Sequence, residues 1–186
     1  MEQTRTISVF GSHAPKPGSG DYELAREIGG LLASAGFAVA TGGYGGTMSA
    51  VSQGAAEADG HVIGVTCAQI EQTRSAVLNR WVKQEIKYES LSERMQHLVR
   101  INHGMIVLPG GIGTLAEFAL AWNYLQVGEM SPRPLILFGE MWAKWFESFV
   151  CQEYVLDQHI TMVNFADSPA AAVVAVIAAH QEKPVT

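Results

Sequence analysis

Three glycine-rich stretches stand out for chemistry: Gly11-Ser12, Thr41-Gly42-Gly43-Tyr44-Gly45-Gly46 and Pro109-Gly110-Gly111-Ile112-Gly113-Thr114. Each follows an apolar run, and the last two lead into helical patterns. Glycine there tolerates positive φ and lets a ligand approach the backbone, while the free amides of a following helix N-terminus favour phosphate. One such turn has a purely structural explanation in a tight strand-to-helix connection. Three in one sheet point to a nucleotide or sugar-phosphate site. Its binding candidates are Gly11, Ser12, Gly42, Gly43, Gly46, Pro109, Gly110, Gly111, Gly113 and Thr114.

Two charged residues near these turns admit two readings each. Thr114 and Glu117 have the Thr-x-x-Glu spacing of a capping box, in which the carboxylate reaches back to the Thr114 amide. A carboxylate in the first turn of a helix, at the mouth of a phosphate turn, also sits where general-base chemistry needs one. Arg94 follows Ser90 and Glu93, a second capping-box pair, which puts its cation near the unfavourable end of the helix macrodipole. It is either a solvated surface arginine or the partner of a carboxylate or phosphate elsewhere in the fold.

Several nucleotide chemistries are disfavoured. The first turn is not G-x-G-x-x-G and no acidic residue ends the second strand to hold an adenosine ribose, which argues against a nicotinamide dehydrogenase. No G-x-x-x-x-G-K-[ST] is present, so a P-loop NTPase is excluded. Cys67 and Cys151 lie far apart, and His13, His61, His97, His103, His159 and His180 lack ligand spacing, so neither a disulfide framework nor a metal site is indicated.

The elements that must position these residues follow an alternating pattern. Strands are expected at Ile7–Phe10, Phe37–Ala40, Val62–Val65, Met105–Leu108, Pro134–Phe138 and Ile160–Phe165. Helices are expected at Asp21–Ala35, Thr47–Gly60, Ser90–Val99, Leu115–Val127, Met141–Val155 and Pro169–His180. Between Cys67 and Glu89 the pattern is least legible, with a helix near Ser75 and a strand around Glu85–Tyr88. The sum is an α/β fold, a Rossmann-like doubly wound parallel sheet with helices on both faces, which binds ligands at the carboxyl ends of its strands.

The 186 residues fit one domain, expected over 1–186, and 48% hydrophobic residues suffice for a sizeable core. A net charge of -6 without a basic patch argues against nucleic-acid binding. The start MEQTRTISVFGS holds no long apolar stretch, and Ala170–Ala179 is too short to span a bilayer, so no membrane association and a cytoplasmic location are expected.

The segment Ser92–Gly128 resembles the Lonely Guy family of cytokinin-activating phosphoribohydrolases, also labelled possible lysine decarboxylases. Pro109, Gly110, Gly111, Gly113, Thr114 and Glu117 match the family's PGGxGTxxE, and Glu93 and Arg94 fall on its upstream Glu-Arg-Lys. VFGS near the start, GG-x-x-G-x-M at Gly42, Gly43, Gly46 and Met48, and Gln126 with Gly128 extend the likeness along the chain. The resemblance implies a Rossmann-like homodimer that hydrolyses the N-glycosidic bond of AMP or an N6-modified AMP, with Arg94 and Glu117 as its catalytic pair. The PGGIGT turn would hold the phosphate, and no cofactor or metal is implied. No residue marks a pyridoxal-phosphate lysine, so the decarboxylase label gains nothing.

Departures from the family pattern fall where base specificity would be set. The family lysine is Met95, and its Thr-Trp pair reads Asn123-Tyr124, making Met95 and Asn123 the base-contact candidates. A dimer is further suggested by Trp122, Leu125 and the segment Met141–Val150 with Trp142, Trp145 and Phe146, more apolar surface than a sheet-facing stripe needs. The rival class is a non-catalytic carrier or sensor of a nucleotide or cofactor, which would need the glycines but not a carboxylate that repels phosphate.

Overall fold

The computed structural model describes residues 4–151 and 153–181; the remaining positions of the expected 1–186 domain lie outside the described residues. Seven parallel strands form one sheet: β1 (Thr6–Phe10), β2 (Ala38–Thr41), β3 (Val62–Cys67), β4 (Gln84–Tyr88), β5 (Gly104–Val107), β6 (Leu135–Phe138) and β7 (Asn164–Ala166). Their order is β4-β3-β2-β1-β5-β6-β7, so winding reverses beside β1, which pairs with both β2 and β5. The crevice between β1 and β5 is the switch point at which doubly wound folds bind ligands.

Side chains alternate across the sheet, and both sides are covered. Ile7, Val9, Val39, Val62, Ile106 and Ile136 pack with α1 (Gly20–Ser34), α2 (Thr47–Glu57) and α8 (Pro169–Gln181). Phe10, Ala40, Val65, Met105, Val107, Leu135 and Leu137 pack with α4 (Leu91–Arg100), α5 (Ile112–Gln126) and α6 (Glu140–Phe149). Strands buried on both faces have no solvent-facing side, which is why these read as mainly apolar runs, with Ser8, Thr41 and Thr66 as buried polar exceptions.

Several boundaries differ from the sequence expectation. The helix of the poorly legible region is α3 (Ala68–Arg74), ended by Ser75 at φ 49, and no helix extends past it. The helix expected over Met141–Val155 stops at Phe149, because Val150 turns extended; α7 (Asp157–Ile160) is a separate short piece. The strand expected at Ile160–Phe165 is confined to Asn164–Ala166, its first residues being taken by α7 and the turn after it. Helix α5 begins at Ile112, three residues before the expected Leu115.

Of the residues read as surplus surface, all but Trp145, which is half-buried, are core. Trp122, Leu125, Trp142 and Phe146 are all buried, with Phe118 stacked on Trp122 at 5.6 Å and the indole Nε1 of Trp142 donating to Leu108 O at 2.9 Å. The large apolar side chains that remain exposed on α6 are Met141 and Phe149. Among the described residues no helix is long and apolar enough to cross a membrane.

Candidate active site

Arg94 is placed by its helix. The Ser90 hydroxyl accepts from the Glu93 amide and the Glu93 carboxylate accepts from the Ser90 amide, both at 3.3 Å, closing the expected capping box and starting α4 at Leu91. Arg94 therefore sits four residues past the cap, and its side chain runs inward, leaving it only 6% exposed. Its Nε donates to Val65 O at 2.9 Å and its Nη1 to Glu117 Oε1 at 3.1 Å. The solvated-surface reading is thereby excluded.

Glu117 is not a capping residue. The N-cap of α5 is Gly111, no side chain caps that helix, and no acidic residue lies in its first turn. Thr114 is the third residue of the helix rather than its cap, and Glu117, in the second turn, gives its carboxylate to Arg94 instead, with 7% of its surface exposed. Burial pushes its carboxyl above the ordinary carboxylate range, outweighing the downward pull of the adjacent guanidinium. Among the described residues only one buried side-chain N or O lacks a hydrogen-bond partner, Asn102 Oδ1. Glu117 Oε1 accepts from Arg94, and no described donor reaches its other oxygen.

The glycine turns interlock around this pair. Ser12 N donates to Pro109 O at 3.3 Å, joining the first turn to the third, and Ser12 O accepts from Thr47 N at 2.8 Å and Thr47 Oγ1 at 2.9 Å, joining it to the second. Gly46 lies at φ 67 where any Cβ would overlap Ser12 O and the His13 backbone, so only glycine permits this crossing. A Cβ on Gly42 would overlap Arg94 Nη2: that glycine is the chamber for the guanidinium. Gly11 and Gly110 leave room in the same way for the Thr47 and Thr114 hydroxyls.

Only part of the predicted set has open access. Gly111 and Gly113 are exposed, and a Cβ on either would meet nothing within 4 Å, so the uncapped start of α5 presents its backbone to solvent. Such a terminus carries unpaired N–H groups and the positive end of the helix dipole. Gly43 is buried, and its amide donates inward to Thr41 Oγ1 at 3.1 Å. Met95 is half-buried beside Arg94, whereas Asn123 is exposed and lies six residues past Glu117, on another face of a helix with about 3.6 residues per turn.

Two contributors escaped the sequence reading. The phenol of Tyr44 donates to Cys67 O at 3.1 Å and accepts from Cys67 N at 2.8 Å, pinning the second turn to the end of β3. Asn79, from the illegible region, binds the same turn. Tyr44 could have been suspected from its place inside the glycine stretch; Asn79 carried no signal, being one polar residue in an irregular segment.

Strands wound both ways from β1, with glycine turns meeting over a buried cation–carboxylate pair at their carboxyl ends, define a Rossmann-like α/β protein whose cleft lies at the topological switch point. The chain belongs to the SLOG cluster4 family, which matches residues 4–173. It is 33% identical over 133 residues to the cytokinin riboside 5'-monophosphate phosphoribohydrolase of Mycobacterium tuberculosis, covering 71% of this chain and 69% of that one. It is 29% identical over 147 residues to the pyrimidine/purine nucleotide 5'-monophosphate nucleosidase of Escherichia coli; the match takes in 74% of this chain but spans only 32% of that protein. The Lonely Guy resemblance carried by the Pro109–Glu117 motif accords with both relatives.

Solved structures with the same fold include the molybdenum cofactor carrier protein of Chlamydomonas reinhardtii, at TM-score 0.75 and 25% identity, covering 97% of this chain and 100% of that one. The molybdenum cofactor binding protein of Rippkaea orientalis also superposes at TM-score 0.75, with 24% identity over 96% of this chain and 98% of that one.

Proposed function

We propose that the protein is a nucleoside 5'-monophosphate phosphoribohydrolase, cleaving the N-glycosidic bond of AMP or an N6-modified, cytokinin-type AMP to free base and ribose 5-phosphate. The observation that carries this reading is the Arg94–Glu117 pair, 3.1 Å apart and buried beneath the glycine turns at the carboxyl ends of the strands. In the reaction the bond from the ribose C1' to the base nitrogen breaks and its electron pair leaves with the base. Water supplies the new C1'–O bond, and one of its protons ends on the base.

The site's residues take defined parts in that scheme. Positive charge develops on the ribose as the bond breaks, and the Glu117 carboxylate stabilises it and orients the incoming water. Arg94 holds Glu117 in place and favours its ionised form against burial. The exposed Gly111–Gly113 start of α5 receives the 5'-phosphate, anchoring the nucleotide so that C1' reaches Glu117. Ser12, Gly42, Gly43 and Gly46 shape the opposite wall. The protein works as one nucleotide-binding domain in a cytoplasmic homodimer without cofactor.

The second reading is a carrier, favoured by the near-complete match in length to the molybdenum cofactor carrier protein of Chlamydomonas. A carrier needs the phosphate turns but gains nothing from a carboxylate facing its anionic cargo. Incubation with AMP and with N6-prenylated AMP, followed by chromatography, decides between them. Free base and ribose 5-phosphate, with little cleavage of unphosphorylated nucleosides, are expected. No turnover across a nucleotide panel would favour the carrier, and equal turnover of nucleoside and nucleotide would remove the phosphate anchor.

A further inference from the structure

Between α3 and β4 the chain crosses back over the sheet as an irregular strap, Ala76–Lys83, where a doubly wound fold ordinarily has a crossover helix. Leu78 and Val82 of this strap lie against Gly64 of β3, and Leu78 also lies against Gly43. Asn79 stands between them with every polar group occupied. Its backbone N donates to Gly43 O at 2.8 Å and its backbone O accepts from Val82 N at 3.3 Å. Its Nδ2 donates to Gly43 O at 3.0 Å, to Tyr44 O at 3.2 Å and to Ser52 Oγ at 3.4 Å, while its Oδ1 accepts from Trp81 N at 3.1 Å.

The grip of Asn79 falls next to the chamber for Arg94. Gly43, whose carbonyl takes both Asn79 donors, is bonded directly to Gly42, the residue that leaves space for the Arg94 guanidinium. Gly43 stands at φ 76, so its own backbone conformation offers little resistance to a shift. The turn is restrained from inside by Thr41 Oγ1 and Tyr44, and from outside by the Asn79 carboxamide. We propose that Asn79 is a positioning residue for the site: by holding the carbonyls of Gly43 and Tyr44 it sets the wall against which Arg94 presents Glu117. Its place in catalysis rests on the phosphoribohydrolase reading; its effect on the Arg94–Glu117 geometry does not.

The two sides of the Asn79 amide allow the roles to be separated. The substitution Asn79→Asp keeps the oxygen that accepts from Trp81 N, and so the local turn of the strap, but removes the donors and sets a charge against three oxygen acceptors. The adjacent Arg94 guanidinium pulls the Glu117 pKa down against burial, so loosening of Arg94 registers there as a further rise.

The test compares Asn79→Asp and Asn79→Ala with the wild-type chain, each checked for folding by calorimetry. Hydrolysis of AMP is followed across pH, and the Glu117 carboxyl is titrated by carbon NMR without nucleotide, assigned by its absence in Glu117→Gln. Both variants are expected to titrate at higher pH than wild type and to lose at least about tenfold in kcat, with a smaller change in KM. If the wild-type chain hydrolyses nothing, the titration alone decides, and a rise in both variants supports the positioning role. An Asn79→Asp protein with wild-type titration overturns it, since that outcome confines Asn79 to the strap's own turn.

Discussion

The guanidinium of Arg94 lies in the space that a side chain at Gly42 would fill, so the second glycine turn and the fourth helix share one volume. Arg94 Nε and Nη1 are both engaged, on Val65 O and Glu117, so the guanidinium is held from two sides. Replacing Gly42 by Ala must displace one partner. Stability should fall by about 1–3 kcal/mol, the usual cost of overpacking, and turnover by roughly ten- to a hundredfold as Glu117 loses its support. Urea denaturation and steady-state kinetics measure the two; a Gly42→Ala protein with unchanged kcat would show that Arg94 can move freely without consequence.

Glu117→Gln keeps an oxygen for Arg94 Nη1 and removes the charge. Folding and AMP affinity should stay close to wild type while turnover falls by roughly 100-fold or more, the scale of one lost electrostatic contact in a transition state. Arg94→Ala should act differently, lowering stability by about 3–5 kcal/mol because it strands a buried carboxylate. Wild-type turnover in Glu117→Gln would sink the catalytic role while leaving the fold untouched.

The raised Glu117 pKa fixes the sign of a pH effect. The folded chain holds the Glu117 proton more tightly than the unfolded chain, whose carboxyl titrates near its ordinary 4.5. Between that value and the raised one the unfolded state binds fewer protons, so this group's contribution is fully present below 4.5 and is lost as pH rises through the folded value. The difference in unfolding free energy between wild type and Glu117→Gln should therefore shift against the wild type as pH rises through this window. Turnover, which needs the carboxylate, should rise over the same interval. A flat difference across it would contradict the buried, desolvated state of Glu117.

Gly113→Ala separates stability from binding. A methyl group there meets nothing in the protein, and alanine is a better helix former than glycine, so stability should rise by up to about 1 kcal/mol. If a phosphate rests against this backbone, the same methyl group obstructs it, and AMP affinity measured by calorimetry should fall. Unchanged affinity would move the phosphate away from the start of α5.

Assembly is tested by light scattering at micromolar protein. A homodimer should give twice the 20.1 kDa chain mass, and a particle at the chain mass rejects it. With Trp122, Leu125, Trp142 and Phe146 committed to the core, the large apolar side chains that α6 offers a partner are Met141, Phe149 and the half-buried Trp145, on which Phe149 stacks at 4.8 Å.

By itself the sequence determined the alternation of strands and helices, the three glycine turns, the Ser90–Glu93 cap and the family motif that singles out Arg94 and Glu117. These are written in neighbouring residues, because strand and helix periods and capping act within a few positions along the chain. What only the tertiary structure decided is which distant groups meet. Arg94 on α4 and Glu117 on α5 come together through elements packed on one side of the sheet, and neither residue's local context distinguishes that contact from a solvated arginine or a helix cap. The space reserved at Gly42 and the hold of Asn79 on Gly43 are likewise set by β2, β3 and their crossovers lying side by side, a relation between segments more than thirty residues apart that no local period encodes.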